Sequence, residues 1–279
     1  MSNRTIFLLS LSSILLQGCL SVYTEDFIRK SESRLTPIGG SVHIPAADTA
    51  TRVQASFSLA GGPDGDWGGA VVAGGPVDDG STAKGTSNLA VDNLRFGTEW
   101  SLVYRRWLRL GVGATGSTHG GGAWVVTGIA TPGSWPLEAY VEAGVSGLSY
   151  KVDWKSVTYR RDPEDGLNDS TVVYSTQAAS EFKPSERLGL HFGRRAGGPW
   201  IEAVAGYQEL FDSPNTEATW ETMSLELAAG WMVRSKYGIV TAYVRSRRFG
   251  RDVWPPALRL DEWNPSAGIQ WTAEVPLGR

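Results

Sequence analysis

Wide apolar residues alternate with small or charged residues along the stretch from Leu94 to Ala114. The apolar set shares one face of two extended segments and consists of Leu94, Phe96, Trp100, Leu102, Tyr104, Leu108, Leu110, Val112 and Ala114. The opposite face carries Glu99, Arg109 and several glycines, with Val103 as an exception. A period of two residues is typical of β-strands whose two faces meet different surroundings. The stretch therefore predicts a hairpin with a tight turn at 105–107.

The same alternation returns over residues 51–275 and predicts about ten strands in all. The short connections lie near 105 and at 131–136, 194–199 and 234–236. The opposite ones are mostly longer, at 61–93, 155–171, 211–217 and 250–265, although the one near 120 is short. Bacterial outer-membrane barrels have even strand numbers, short turns on one side and longer loops on the other. The pattern resembles this broad class of small outer-membrane β-barrel proteins. The resemblance implies an all-β chain that forms a closed antiparallel transmembrane barrel.

Alternation alone does not separate a membrane barrel from a soluble one, because a soluble barrel also alternates with its apolar face inward. A barrel of 8 or 12 strands and a soluble lipocalin-like barrel are therefore the alternatives. A soluble barrel would pack Leu94, Phe96, Leu102 and Leu110 around a common core. A membrane barrel would turn the same side chains toward lipid.

Aromatic residues cluster where the predicted strands end. Six of them lie beside the short turns and form a predicted girdle at one membrane interface: Tyr104, Trp107, Trp135, Trp200, Trp231 and Tyr237. A second group, which includes Tyr150, Trp154 and Trp220, lies toward the opposite strand ends. Two aromatic girdles are expected where a barrel crosses the two interfaces of a membrane, so this distribution favours the membrane barrel.

Charged side chains recur on the polar face of the strands, some of them deep within a strand. We expect ten residues to form a polar network inside the barrel: Arg52, Glu99, Arg109, Glu138, Glu142, Arg187, His191, Glu202, Glu226 and Glu274. Buried charges need partners of opposite sign or hydrogen bonds, because an isolated buried charge is costly. Since a narrow barrel is filled by its own side chains, a salt-bridged lumen is expected rather than an open general pore.

The N-terminus resembles the signal sequence of a bacterial lipoprotein. Arg4 precedes a short apolar segment, which runs into Leu16-Gln17-Gly18-Cys19. The resemblance of this tetrapeptide to the lipobox implies that residues 1–18 are a signal peptide and that Cys19 receives the lipid. Leu20 follows, instead of the aspartate that typically retains lipoproteins in the inner membrane, which favours the outer membrane.

Residues 19–50 contain prolines and glycines and show no sustained period. We therefore predict a mostly irregular lipidated tether on the periplasmic side of the membrane. The barrel is predicted to occupy residues 51–275. Cys19 is the single cysteine of the chain, so no disulfide is expected in the barrel.

The composition changes this picture little and excludes some function classes. Charged residues make up 20% of the 279 residues and the net charge is −3, which gives no basis for nucleic-acid binding. No run of 18 apolar residues is present, so no transmembrane helix is expected.

Candidate catalytic and metal-binding groups are few. Ser117 and His119 lie in a predicted outer loop, but the surrounding sequence offers no obvious orienting acid. The histidines His43, His119 and His191 are scattered and show no zinc-type spacing. We therefore expect no enzyme activity, no cofactor and no metal.

These expectations describe a β-barrel lipoprotein of a Gram-negative outer membrane with a structural or surface-interaction role. Its contact surface would be the loops at 61–93 and 155–171. The alternatives are a narrow channel for small solutes and an outer-membrane lipid hydrolase. Outer-membrane lipid and the barrel-assembly and lipoprotein-sorting machineries are the expected partners, and the sequence identifies no external ligand.

Overall fold

The computed structural model describes residues 22–62, 82–85, 88–92, 94–161, 168–216, 219–249 and 263–277. Thirteen strands lie within these ranges: β1 (Val22–Thr36), β2 (Arg52–Gly61), β3 (Thr82–Lys84), β4 (Asn88–Val91), β5 (Arg95–Tyr104), β6 (Leu108–Ser117), β7 (Gly121–Ala130), β8 (Leu137–Arg161), β9 (Asn168–Gly193), β10 (Gly198–Asp212), β11 (Thr219–Ser235), β12 (Gly238–Phe249) and β13 (Asn264–Pro276). In the described parts of the chain, no helix has the length and apolar character needed to cross a membrane.

Ten of these strands close into an antiparallel barrel. The order around the ring is β8-β7-β6-β5-β2-β13-β12-β11-β10-β9, and β9 pairs with β8 to complete it. Each strand of the ring therefore has a partner on both sides. Closure matters in lipid, because an unpaired backbone group in the hydrocarbon layer costs several kcal/mol. The predicted closed antiparallel barrel of about ten strands is confirmed.

The outer wall of the barrel is apolar. Leu94, Phe96, Leu102 and Leu110 are 56, 61, 37 and 48% exposed on it. A soluble barrel would bury these side chains, because burial of apolar surface stabilises a fold by about 25 cal/mol per Å². Their outward direction excludes the lipocalin-like alternative and suits a wall that faces lipid.

All four connections between ring strands at one end of the barrel are short, whereas the other end has the long connections and also the short turn between β6 and β7. Short turns join β5 to β6, β7 to β8, β9 to β10 and β11 to β12, at the end where β2 begins and β13 ends. We call this the turn end and the opposite one the loop end. In the β5–β6 turn, Arg105 and Arg106 have φ values of 44° and 61°, and Trp107 N–H donates to the Tyr104 carbonyl at 3.1 Å. Two successive positive φ values are typical of the tight turns of β-hairpins.

β8 and β9 continue far beyond the ring at the loop end. They pair with each other from Leu137–Phe192 to Arg161–Asn168, whereas β7 leaves β8 at Ser146. The predicted loop at 155–171 is therefore wrong over its described residues. Its polar residues suggested a loop, but β8 continues the ladder there with Ser156 and Val157 buried, and the backbone ladder and cross-strand pairs hold the more exposed remainder.

The predicted irregular tether at 19–50 is wrong for residues 22–36. They form β1, which pairs antiparallel with β8 from Val22–Arg160 to Thr36–Gly147. The physical reason is that β1 takes the edge of β8 that β7 leaves unpaired above Ser146. On its other edge, β1 pairs in parallel with β3 and β4.

β1 lies wholly at the loop end, opposite the short turns that join the ring strands at the turn end. The predicted periplasmic position of the lipidated N-terminus stays a prediction, since Cys19 lies outside the described residues.

An apolar cluster, the cap core, closes the loop end. It joins β1, β4, β8, β10, β11 and β12 and consists of Leu35, Leu89, Val91, Leu148, Tyr150, Val152, Trp154, Leu210, Phe211, Trp220 and Phe249. The Trp220 ring stacks on Phe211 and meets Trp154 edge-on, with both centroid distances at 5.7 Å. The predicted second girdle is therefore wrong for Tyr150, Trp154 and Trp220, which point into this core instead of toward lipid. Burial there raises the pKa of Tyr150 to about 12.

A buried carboxylate fastens β1 across the mouth of the barrel. Asp26 accepts backbone N–H bonds from Asn215 and Thr216, at 3.2 and 3.1 Å, and a hydroxyl bond from Ser156 at 2.5 Å. Asn215 and Thr216 belong to the β10–β11 connection, so the β1–β8 ribbon leans inward toward the β10–β11 side of the mouth.

Candidate functional site

Residues 37–46 leave β1 and pass down through the barrel to the turn end. We call them the lumen segment. All of them except Gly40 are buried, and they belong to no strand. After Ala46 the chain emerges at the turn end, where Asp48 pairs with Arg52 at the start of β2. The region predicted to be a tether therefore crosses the barrel from one mouth to the other.

Side chains of the wall hydrogen-bond the backbone of the lumen segment near the loop end. The N–H of Ile38 donates to Ser146 Oγ at 3.2 Å, and the carbonyl of Ile38 accepts from Arg187 at 3.3 Å. One level lower, the Tyr243 hydroxyl donates to the Gly40 carbonyl at 3.3 Å. Buried backbone groups need such partners, and here wall side chains supply them in place of a neighbouring strand.

The same arrangement continues to the turn end. Gln270 binds both backbone groups of Val42, accepting from the N–H at 2.6 Å and donating to the carbonyl at 2.8 Å. Gln54 and Arg109 both donate to the Ile44 carbonyl, at 3.0 and 2.9 Å. The last two carbonyls accept from arginines, Pro45 from Arg234 and Ala46 from Arg195. The wall thus holds an extended peptide chain by its backbone.

Gly39 marks the tightest passage of the lumen segment. Its φ of 71° lies in the left-handed region that favours glycine. A β-carbon there would lie 1.4 Å from Nη1 of Arg187 and 2.7 Å from Oε2 of Glu142. The segment passes this ion pair only because the residue has no side chain.

The upper half of the lumen holds a network of buried ion pairs centred on Glu226. This carboxylate meets Arg187 at 2.9 Å, Arg245 at 3.1 Å and Arg247 at 2.6 Å. Arg187 also donates to Glu142 at 2.5 Å. These side chains, together with the backbone at 38–40, occupy the level at which a solute path would have to pass.

The lower half holds a second network centred on Arg109. Its guanidinium pairs with Glu138 at 2.6 Å and donates to Gln54 and Ser101, both at 2.9 Å. Glu274 accepts from Gln54 and from Arg234, both at 2.7 Å. The network therefore extends to the turn end of the lumen.

The structure places all ten predicted lumen residues on the inner face of the barrel. Eight are buried, and the other two, Arg52 and Glu274, lie at the turn end with side chains 16 and 11% exposed. Sequence reasoning missed several further members of the networks: Gln54, Arg95, Arg195, Arg234, Arg245 and Arg247. Alternation in β12 would have found Arg245 and Arg247, since both share the inward face with Tyr243.

Five of the six predicted girdle aromatics lie exposed on the outer wall near the turn end: Tyr104, Trp107, Trp135, Trp231 and Tyr237. The prediction is wrong for Trp200, which is 2% exposed inside the lumen and stacks on His191 at 5.3 Å. Trp200 precedes Glu202 by two residues and therefore shares its inward face. The alternation of residues therefore predicts that Trp200 faces inward, whereas its position at a strand end predicts that it faces lipid.

His43 of the lumen segment lies at the centre of a carboxylate cluster. Its Nε2 is 3.7 Å from Oε2 of Glu99 and from Oε1 of Glu142, and its Nδ1 is 3.7 Å from Oε1 of Glu138. The ring packs against Tyr140 with centroids 3.9 Å apart. Sequence reasoning assigned His43 to the tether, so no sequence signal linked it to these strands.

Ser117 and His119 meet an acid that the sequence did not reveal. Ser117 Oγ donates to Oδ2 of Asp92 at 2.5 Å, and Nδ1 of His119 lies 2.9 Å from Oδ1 of the same carboxylate. Arg34 Nη1 lies 2.9 Å from Nε2 of His119. A hydrolytic serine passes its proton to an imidazole nitrogen. Here the serine bonds to the carboxylate, and an arginine lies against the far nitrogen.

A small cavity lies between the cap core and the upper network. It encloses about 10 Å³ and is lined by Val91, Asp92, Arg95, Arg245, Arg247, Asn264 and Ser266. A volume of this size holds about one water molecule. It is too small to accommodate an organic solute.

Comparison with known proteins adds little to this geometry. No protein-family model matches the chain, and no curated protein sequence matches it. A solved structure described as KdgM porin in complex with disordered oligogalacturonate is similar over 81% of this chain and 99% of that chain. The identity is 7% and the TM-score is 0.29, values too low to carry an argument about function. Function is therefore argued from the residues of this chain.

Proposed function

We propose that this protein is an outer-membrane barrel whose lumen carries its own N-terminal segment across the membrane. Its role is structural or in surface interaction, and it presents β1 and the long β8–β9 hairpin at the external face. The observation that carries the proposal is the set of wall side chains that bind the backbone of residues 38–46 at successive heights. A segment held in this way is a built part of the barrel.

The proposed orientation moves the lipid anchor to the outer surface. Cys19 lies three residues before Val22, which is at the loop end. We propose that Cys19 is acylated and that its lipid enters the outer leaflet. Apolar side chains are exposed near Val22, at the far part of the ribbon: Tyr23, Val172, Val173 and Tyr174. Contact of these side chains with lipid requires the ribbon to fold back toward the membrane.

A narrow channel is the second candidate. The observation in its favour is that charged side chains occur on the lumen wall from Arg247 near the loop end to Glu274 at the turn end, between apolar ones such as Trp200. Such a wall would line a small polar pore if the lumen segment moved out. In this reading the segment is a plug, and conduction requires its displacement.

Catalysis is not part of the proposal. The geometry at Ser117 supports this. The Ser117 hydroxyl donates to Asp92, and the Asp92 carboxylate lies between this hydroxyl and the His119 ring. We expect Ser117→Ala to leave phospholipid turnover by the purified protein unchanged from background. Release of labelled fatty acid by the unaltered chain, lost in this variant, would contradict the expectation.

Cysteine labelling in intact cells tests the orientation. Lys30→Cys places a thiol on exposed β1, and Thr49→Cys places one at the exposed turn end. A membrane-impermeant maleimide is expected to label position 30 in intact cells and position 49 only after the outer membrane is permeabilised. The two sites lie 19 positions apart in sequence but at opposite mouths.

The labelling has outcomes that contradict the proposal. Labelling of position 49 alone in intact cells would show that the barrel has the opposite orientation in the membrane. Labelling of neither or both positions in intact cells would show that the segment does not cross from one face to the other. The unaltered chain is the control for Cys19, since an acylated thiol does not react.

A further inference from the structure

The carboxylate cluster around His43 provides ligand atoms with metal-site spacing. Nε2 of His43, Oε2 of Glu99 and Oε1 of Glu142 all lie within 4.8 Å of one another, and all three residues are buried. Nε2 is 3.7 Å from each of the two oxygens. Two donors that each bind Zn²⁺ at about 2.1 Å lie about 3.4 Å apart in a tetrahedral site. The two distances from Nε2 exceed this separation by about 0.3 Å, and the two carboxylate oxygens, which lie within 4.8 Å of each other, would also move together on binding.

Two of the ligand atoms lack other partners. Nε2 of His43 and Oε2 of Glu99 are buried, and neither has a hydrogen-bond partner among the described residues. A buried polar atom without a partner costs about 1–3 kcal/mol. These two atoms face each other, and a cation between them would satisfy both.

The charge balance points the same way. Glu99 has one guanidinium in reach, Arg109 at 3.9 Å, and that group already bonds Glu138 at 2.6 Å. Glu142 likewise shares Arg187 with Glu226. The carboxylates around His43 therefore outnumber the arginines that neutralise them, and a positive charge at the cluster would restore the balance.

We propose that this cluster binds a divalent cation of the Zn²⁺ class through Nε2 of His43 and the carboxylates of Glu99 and Glu142. Imidazole and carboxylate are ligands that Zn²⁺ takes at about 2.0–2.2 Å. Glu138, which pairs with Arg109, lies on the far side of the imidazole, 3.7 Å from Nδ1, and would accept the Nδ1 hydrogen bond after a small approach. A carboxylate behind a metal-bound histidine is the usual outer partner in such sites.

The site is composite, and that gives it a structural consequence. His43 comes from the lumen segment, Glu99 from β5 and Glu142 from β8. A bound cation therefore ties the threaded segment to two strands of the wall. It locks the segment in the barrel at a level below the Gly39 passage.

Metal content after refolding tests the proposal. The chain is refolded in detergent with chelator-treated buffer and Zn²⁺, excess metal is removed by gel filtration, and zinc per chain is measured by mass spectrometry. We expect about one Zn²⁺ per chain and a loss of at least tenfold in His43→Gln and in Glu99→Gln. His191→Gln is the matched control, because His191 is equally buried but has one carboxylate, Glu202, at 3.7 Å.

A second readout keeps the test decisive if the His43 variant does not fold. The unaltered chain is loaded with Co²⁺, which in a tetrahedral site has visible absorption bands, and Zn²⁺ is then expected to remove those bands. The proposal would be overturned if the unaltered chain and His43→Gln took up equal amounts of zinc. It would also be overturned if the Co²⁺-loaded chain showed no visible absorption bands that Zn²⁺ removes. The cluster would then hold a protonated His43 among its carboxylates and no metal.

Discussion

Deletion of residues 20–46 is expected to turn a closed barrel into a conducting one. The lumen segment is an extended chain, which fills a column about 5 Å by 10 Å in cross-section. Its removal exposes a polar wall that water and small ions can solvate, because charged side chains recur on that wall from Arg247 to Glu274. In planar lipid bilayers, the full chain is expected to show no resolved steps and the truncated chain regular single-channel steps.

Deletion of residues 20–36 is the matched control for this experiment. It removes β1 but keeps the lumen segment, whose hydrogen bonds are made to the barrel wall. We expect this shorter deletion to remain closed. Steps of equal size from the full chain and from the longer deletion would show that the segment does not plug the barrel and would favour the channel as the native function. An absence of steps from both would contradict the prediction, since the side chains of the wall would then close the lumen without the segment.

Substitution of Glu226 by glutamine is expected to destabilise the barrel by about 3–5 kcal/mol, the usual loss when one partner of a buried ion pair is removed. Glu226 is the carboxylate shared by Arg187, Arg245 and Arg247. Glutamine keeps the size of the side chain but leaves three buried cations with one negative charge fewer. The measurement is the midpoint of unfolding in urea, followed by the loss of heat-modifiable mobility on a gel.

Two further variants make the Glu226 result specific. Glu32→Gln removes an exposed carboxylate that pairs with exposed Lys30 on β1, and we expect no measurable change in the urea midpoint. The double variant Glu226→Gln with Arg247→Met is expected to recover part of the loss, since removing both partners costs less than removing one. A urea midpoint for Glu226→Gln equal to that of Glu32→Gln would contradict the network.

Alternation of side chains made much of the fold predictable. Leu94, Phe96, Leu102 and Leu110 were expected on the outer wall and are exposed there, because the two faces of a strand in a closed barrel always meet different media. The same parity placed Glu99 and Arg109 inside. The same parity also places Trp200 inside, whereas its position at a strand end predicts the outer girdle. The structure follows the parity, because Trp200 is buried in the lumen.

Polarity was a poorer guide outside the spanning region. Residues 155–161 and 168–171 look like a loop but extend β8 and β9, because they are mostly polar and only Ser156 and Val157 among their described side chains are buried. Asp92 likewise meets Ser117 and His119 only because β4 pairs with β1 and brings its end to the mouth of the barrel.

The sequence by itself determined the barrel: its class, its approximate strand number, the face of most strands and the polar filling of the lumen. These follow from a local period of two, which any strand between lipid and a polar interior must show. Only the tertiary structure decided the course of residues 22–46 and the cluster around His43. Those features depend on contacts between positions far apart in the chain, such as His43 with Glu99 and Glu142. A segment whose backbone is bound by wall side chains has no periodic pattern of its own that would predict its path.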